Sequence, residues 1–144
     1  MNNKIFRGNK FNAERHGGFD SKIERMVKGK YDMMQKAGLI SGFRRCNWSF
    51  LIIPPIYEYT IEKKQLKTKV KTIEHRKVCE REARYTPDFL YKDEETGEYV
   101  AVEVKSYITK KLADYPLRRK LFKWRLIDHN ARGRSQWRFE EIVI

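Results

Sequence analysis

The stretch Ala83–Ser106, ARYTPDFLYKDEETGEYVAVEVKS, decides the fold. Two runs rich in aromatic and β-branched residues, Ala83–Tyr91 and Glu98–Tyr107, flank a polar segment, Asp93-Glu94-Glu95-Thr96-Gly97, that ends in glycine. This pattern predicts a β-hairpin. In the second run Tyr99 and Ala101 alternate with Val100, Val102 and Val104, the period of a strand. Antiparallel pairing brings Asp88, early in the first run, beside Glu103, late in the second. Lys105 lies two residues beyond Glu103 and leaves the same face. Two carboxylates and an ammonium at one strand end outline a site for a metal ion and a phosphate.

The surrounding chain has 144 residues, and its hydrophobic content of 40% is enough to build a core. One domain is expected over residues 19–144, preceded by a polar, basic, flexible arm at 1–18 whose Lys4, Arg7, Lys10 and Arg15 suit phosphate contacts or plain solvation. The longest apolar run, Phe50-Leu51-Ile52-Ile53, stops at Pro54-Pro55, so no membrane span is expected. Met1-Asn2-Asn3-Lys4 is not followed by an apolar segment, which argues against a secretory signal. Cys46 and Cys79 form no CxxC motif; a zinc site is disfavoured and a reducing, cytoplasmic setting expected. The net charge of +13, from 32 Lys and Arg against 19 Asp and Glu, is large for so short a chain and points to a polyanionic partner, nucleic acid first.

Residues 20–37 read as a helix, with Asp20 or Ser21 as N-cap, Ile23, Met26, Val27, Tyr31 and Met34 on the core face, and Gly38 ending it. Glu24 stands beside the apolar stripe, where on the residues alone it reads first as part of a capping box. Residues 43–61 are strand-like, and the near-continuous apolar run Trp48–Ile53 suits a strand buried on both faces. Lys63, Lys64, Lys67, Lys69 and Lys71 then form a basic tract. Either a solvated hairpin tip with Lys on one face or a loop gripping phosphates would account for it. Pro116 suits the first position of a second helix that runs to about Asn130, with Leu117, Leu121, Phe122, Trp124 or Arg125, and Ile127 in helical period. Its Arg118, Arg119, Lys120, Lys123 and Arg125 are balanced only by Asp128, which favours a nucleic-acid face. Trp137, Phe139 and Ile142–Ile144 close the chain as a short strand. The predicted class is α/β, a mixed sheet flanked by helices.

Hydrolysis of a phosphodiester needs a nucleophilic water, neutralisation of charge on the phosphoryl oxygens and help for the leaving oxygen. Asp88 and Glu103, with the backbone carbonyl of Val104, offer the oxygen donors that Mg2+ or Mn2+ takes. Lys105 would orient the water and offset phosphate charge, and Glu24 could add a ligand or a water contact. Lys67, Lys69, Lys71, Arg118, Arg119 and Lys123 are the candidate contacts to the DNA backbone. His16, His75 and His129 lack metal-ligand spacing, and no P-loop, G-x-S-x-G or G-x-G-x-x-G occurs.

The combination of Pro87-Asp88-Phe89 with Glu103-Val104-Lys105 resembles the signature of the PD-(D/E)XK nucleases. The flanks FDSKIE (Phe19–Glu24), YTPDFLY (Tyr85–Tyr91), VEVKSYIT (Val102–Thr109) and PLRRKLF (Pro116–Phe122) look like a small phage-encoded nuclease-like family. Junction-resolving enzymes and transposon-end endonucleases, proteins of DNA recombination, carry similar cores. The resemblance runs from about Phe19 to the C-terminus. It implies a restriction-endonuclease-like αβββαβ core, a metal-dependent endodeoxyribonuclease activity, and a host-cell cytoplasmic location for a phage protein. It also implies the roles of helix carboxylate for Glu24, metal-binding acids for Asp88 and Glu103, and catalytic lysine for Lys105. Phe43–Glu82 matches little of the pattern. A branched-DNA or Holliday-junction substrate fits a small basic enzyme, and a homodimer fits symmetric cutting of two strands. The alternative is a non-catalytic nucleic-acid-binding protein on a nuclease-like fold.

Overall fold

A computed structural model describes residues 22–133 and 135–144. The expected arm at 1–18 and the N-cap candidates Asp20 and Ser21 lie outside them. The chain is a mixed α/β protein that divides into two compact units. One is formed by residues up to Asn47 together with Pro87–Ile144, the other by Trp48–Thr86.

The first unit holds helix α1 (Lys22–Lys36), strand β1 (Ile40–Arg45), strands β6 (Phe89–Asp93) and β7 (Tyr99–Lys105), helix α2 (Asp114–Arg132) and strand β8 (Trp137–Val143). Its sheet has the order β1-β6-β7-β8, with antiparallel pairs β1/β6 and β6/β7 and a parallel pair β7/β8. The β6/β7 hairpin is the expected one. Its turn is set by Asp93, whose Oδ1 accepts from the N–H groups of Glu95 (2.9 Å) and Thr96 (3.3 Å). Gly97 supplies the left-handed φ of 74° that the return requires.

α1 covers one face of the sheet. Val27 and Tyr31 pack with Phe89, Tyr91, Val100, Val102 and Val104 in one buried cluster. The helix ends in a Schellman motif: Leu39 N–H donates to Met34 O (3.1 Å) and Gly38 N–H to Gln35 O (3.0 Å), with Gly38 at φ 75°. Met26, expected in the core, is 71% exposed. The buried stripe runs Glu24, Val27, Tyr31, so a carboxylate occupies the core-facing position and turns Met26 outward.

α2 packs on the opposite face, with Phe122 edge-on to Phe139 at 5.7 Å between ring centroids. It begins at Asp114 rather than Pro116, which leaves Pro116 in the first turn, where helix N–H groups lack partners in any case. Its buried residues are Tyr115, Phe122 and Leu126, in one row with the partly buried Arg119. Leu117, Trp124 and Ile127, expected inside, are exposed, because they fall off this row.

The second unit holds β2 (Phe50–Ile53), β3 (Ile56–Gln65), β4 (Val70–Glu80) and β5 (Ala83–Tyr85). The stretch Ala83–Tyr91 is therefore two strands rather than one. Ala83–Tyr85 pairs antiparallel with β2, and only the part after Pro87 joins the hairpin with β7. β2 is not buried on both faces: Ile52 is buried, while Leu51 and Ile53 are exposed. A strand in a two-stranded sheet lacks the covering layers that double burial needs. β3 and β4 form a long ribbon in which Lys64 lies directly opposite Lys71. Alternation places Lys63 on the other face, so the lysines do not share one side.

Candidate active site

The site is assembled where β6 begins and β7 ends. Pro87 is fully buried and needs no partner for an N–H it does not have. Asp88 follows at a bend, held on both sides by main-chain bonds: its N–H donates to Val102 O (2.9 Å), and its C=O accepts from Cys46 N–H (3.0 Å). Phe89 and Val102 are the outermost β6/β7 pair, and Asp88 lies just before it, opposite the end of β7. The Asp88 carboxylate is oriented as well as placed, since Oδ2 accepts from Val104 N–H at 2.7 Å. In an extended strand the N–H and C=O of one residue point to the same side. The Val104 carbonyl therefore faces the Asp88 side also.

Glu103 is only 4% exposed, on a strand otherwise filled with valine and alanine. A carboxylate so placed costs several kcal/mol in desolvation unless a counter-charge meets it. Lys105 meets it: its Nζ pairs with Glu103 Oε1 and lies 5.1 Å from the centre of the Tyr115 ring. Glu24 is 8% exposed at the start of α1, with Oε2 3.7 Å from Arg45 Nη2. Arg45 ends β1 and is paired in register with Phe89, next to Asp88. Glu24 is thus tied through Arg45 to the strand end that carries Asp88.

On the α2 face, Glu141 of β8 stands in register with Glu103. Its Oε1 accepts from Tyr115 Oη (2.7 Å) and Arg119 Nη1 (2.8 Å), and its Oε2 lies 3.3 Å from Lys110 Nζ. Burial alone would raise its pKa, but these three donors outweigh it and hold the carboxyl down at about 2. Arg45, Lys110, Tyr115 and Glu141 carry no local sequence signal that marks them for the site. Only the β7/β8 register, which joins residues 38 positions apart (141 − 103), shows that Glu141 belongs here.

The oxygen donors Asp88, Glu103 and the Val104 carbonyl match in type what a hard divalent cation binds. They are two side chains and one main-chain group; among the described residues no group of three or more His, Cys, Asp and Glu is arranged to hold a metal ion. Of the candidate DNA contacts, Arg118 is exposed and 3.9 Å from Asp114, Arg119 is turned onto Glu141, and Lys123 lies 5.4 Å from the Phe139 ring centre. Lys67, Lys69 and Lys71 stand at the ribbon tip of the second unit, exposed. His75 pairs with Glu62 and His129 with Ser135, and His16 lies outside the described residues. Among the described residues no helix is long and apolar enough to cross a membrane.

No family model matches this chain, and neither a curated protein nor a solved structure matches it.

Proposed function

We propose that the protein is a divalent-metal-dependent endodeoxyribonuclease with a restriction-endonuclease-like core, its αβββαβ elements being α1, β1, β6, β7, α2 and β8. One observation carries this: the Asp88 carboxylate is held on the Val104 N–H, between Glu103 and Lys105, which pair with each other. Asp88, Glu103 and the Val104 carbonyl would hold Mg2+ or Mn2+. Bound there, the cation supplies charge neutralisation at the phosphate and acidification of a water. Lys105 orients the attacking water and takes up phosphate charge, and Glu24 fixes a neighbouring water from the α1 side. Exposed lysines of the ribbon and basic residues of α2 bind the DNA backbone. Branched DNA is the substrate proposed, and a twofold dimer the form that cuts it symmetrically.

The test is incubation with supercoiled plasmid, linear duplex and a four-way junction in Mg2+, Mn2+ or EDTA, beside Asp88→Ala and Lys105→Ala. Metal-dependent cutting, strongest on the junction and lowered by about 100-fold or more by either substitution, is expected. Cutting by Asp88→Ala at the wild-type rate would overturn the site. Salt-sensitive binding with no cutting under any metal condition would leave a non-catalytic nucleic-acid-binding protein.

A further inference from the structure

We propose that Tyr115 and Glu141 form a clamp that positions Lys105 against Glu103. The inference rests on the nuclease reading for its catalytic meaning, but its geometry stands on other residues. A lysine side chain is a flexible four-carbon stem ending in a strongly hydrated charge. Lys105 is one-quarter exposed and so has water available as an alternative. Two contacts define where its ammonium sits: Glu103 Oε1, and the face of the Tyr115 ring. The second contact is only as well placed as the ring.

The ring is placed by Glu141. Tyr115 is buried in the first turn of α2, and its hydroxyl donates to Glu141 Oε1 at 2.7 Å. Glu141 is itself fixed, by Arg119 on the same oxygen and Lys110 on the other. Because Glu141 is the register partner of Glu103, anything bound to it is delivered beside the candidate site. An acid here also carries a cost, since two carboxylates on adjacent strands and one face repel each other. Arg119 and Lys110 neutralise Glu141, which leaves Lys105 to Glu103. An apolar residue at position 141 would avoid the repulsion but would release the Tyr115 hydroxyl. Tyr115 and Glu141 are accordingly positioning residues, acting on the reaction through Lys105.

Tyr115→Phe keeps the ring and removes its anchor, Tyr115→Leu removes the ring, and Glu141→Gln removes the charge that organises Arg119 and Lys110. Two readouts follow. The first is the proton shift of the Lys105 ε-methylene, assigned with Lys105→Arg. A cation over a ring face places these protons in its shielding region, so they should resonate upfield in wild type, less far upfield in Tyr115→Phe and Glu141→Gln, and at the usual position in Tyr115→Leu. The second is single-turnover cleavage of a four-way junction with Mg2+. Misplacement of a catalytic group should lower the rate about tenfold in Tyr115→Leu and about threefold in Tyr115→Phe and Glu141→Gln, with junction affinity within about twofold of wild type.

Partial recovery by Phe relative to Leu separates positioning from general damage. An unshifted Lys105 signal in wild type overturns the clamp, as does a wild-type cleavage rate in Tyr115→Leu once that variant has lost the shift. If wild type cleaves nothing, the proposed nuclease fails, while the methylene shift still decides whether Tyr115 holds Lys105.

Discussion

In the unit that carries Asp88 and Glu103, inward-facing charges are answered. Glu103 has Lys105, Glu24 has Arg45, and Glu141 has Tyr115, Arg119 and Lys110. Arg138 reaches Asp93 (2.9 Å) and Glu98 (2.8 Å), and Glu140 takes hydrogen bonds from Tyr31 (2.9 Å) and Tyr91 (2.7 Å). In the second unit His75 meets Glu62 and Arg84 meets Glu82, but the lysines near the ribbon tip are not matched. On its ribbon Lys64 faces Lys71, a like-charge pair that weakens the strand pairing. Among the described residues no carboxylate lies within ion-pair distance of Lys63, Lys64, Lys67, Lys69 or Lys71. Apolar side chains such as Tyr59, Ile61 and Val70 are exposed on the same ribbon. Charges that are matched internally fix geometry. Charges left unmatched at a stability cost are suited to a ligand that brings the opposite sign, which in the proposed function is phosphate.

This contrast can be broken first at the site. Lys105→Ala and Asp88→Asn should lower metal-dependent DNA cleavage by about 10²–10⁴-fold. Their affinity for the same DNA, measured in Ca2+ or EDTA, should stay near wild type. A proportionate drop in binding would mean that the matched unit also provides the grip.

Stability should divide the same way. Phe122→Ala empties a fully buried position and should cost about 3–5 kcal/mol in urea denaturation. Ile61→Ala on the ribbon should stay within about 0.5 kcal/mol.

A third expectation is a pH effect on the matched charges. The Glu141 pKa is lowered from 4.5 to about 2 on folding. The unfolded chain therefore binds the proton more readily. The contribution of Glu141 is complete above about pH 4.5 and disappears as pH falls towards about 2. It amounts to roughly 3 kcal/mol, since one pKa unit is worth about 1.4 kcal/mol. Urea midpoints measured between pH 5 and pH 3 should fall more steeply for wild type than for Glu141→Gln. Equal slopes would show that Glu141 is not held as the geometry implies.

The smallest effect belongs to the unmatched charges. The double substitution Lys64→Gln/Lys71→Gln should raise stability by a few tenths of a kcal/mol through relief of repulsion. It should also reduce the slope of log affinity against log salt by about 1 for each phosphate that is no longer neutralised. An unchanged slope would remove the ribbon from the DNA interface.

The hairpin, both helices and the C-terminal strand were legible in the sequence, because each is written locally: alternation in Tyr99–Val104, Gly97 at the turn, Gly38 at the helix end. The approach of Asp88 to the end of β7, where its carboxylate meets the Val104 N–H, was legible for the same reason, since a short hairpin brings its own strand ends together. The helix faces were not. Each core-facing row contains a charged residue, Glu24 in α1 and Arg119 in α2, whose partners come from elsewhere in the chain. Counting apolar residues skips such positions and settles on Met26, Leu117, Trp124 and Ile127 instead. Glu141 was invisible for a related reason, because parallel pairing depends on a crossover through α2.

One main-chain bond has a consequence for how the chain can vary. Cys46 N–H donates to Asp88 O, so the whole excursion between them leaves and returns at a single hydrogen-bonded point. For such a closed loop the ordering entropy grows only with the logarithm of its length, about 0.6 kcal/mol for each doubling. Residues between Cys46 and Asp88 can therefore be lengthened, shortened or exchanged at little expense to the proposed catalytic strand ends, provided this closure is kept. In the proposed nuclease, the grip on DNA could change by insertion there while the carboxylates stay where β1, β6 and β7 hold them.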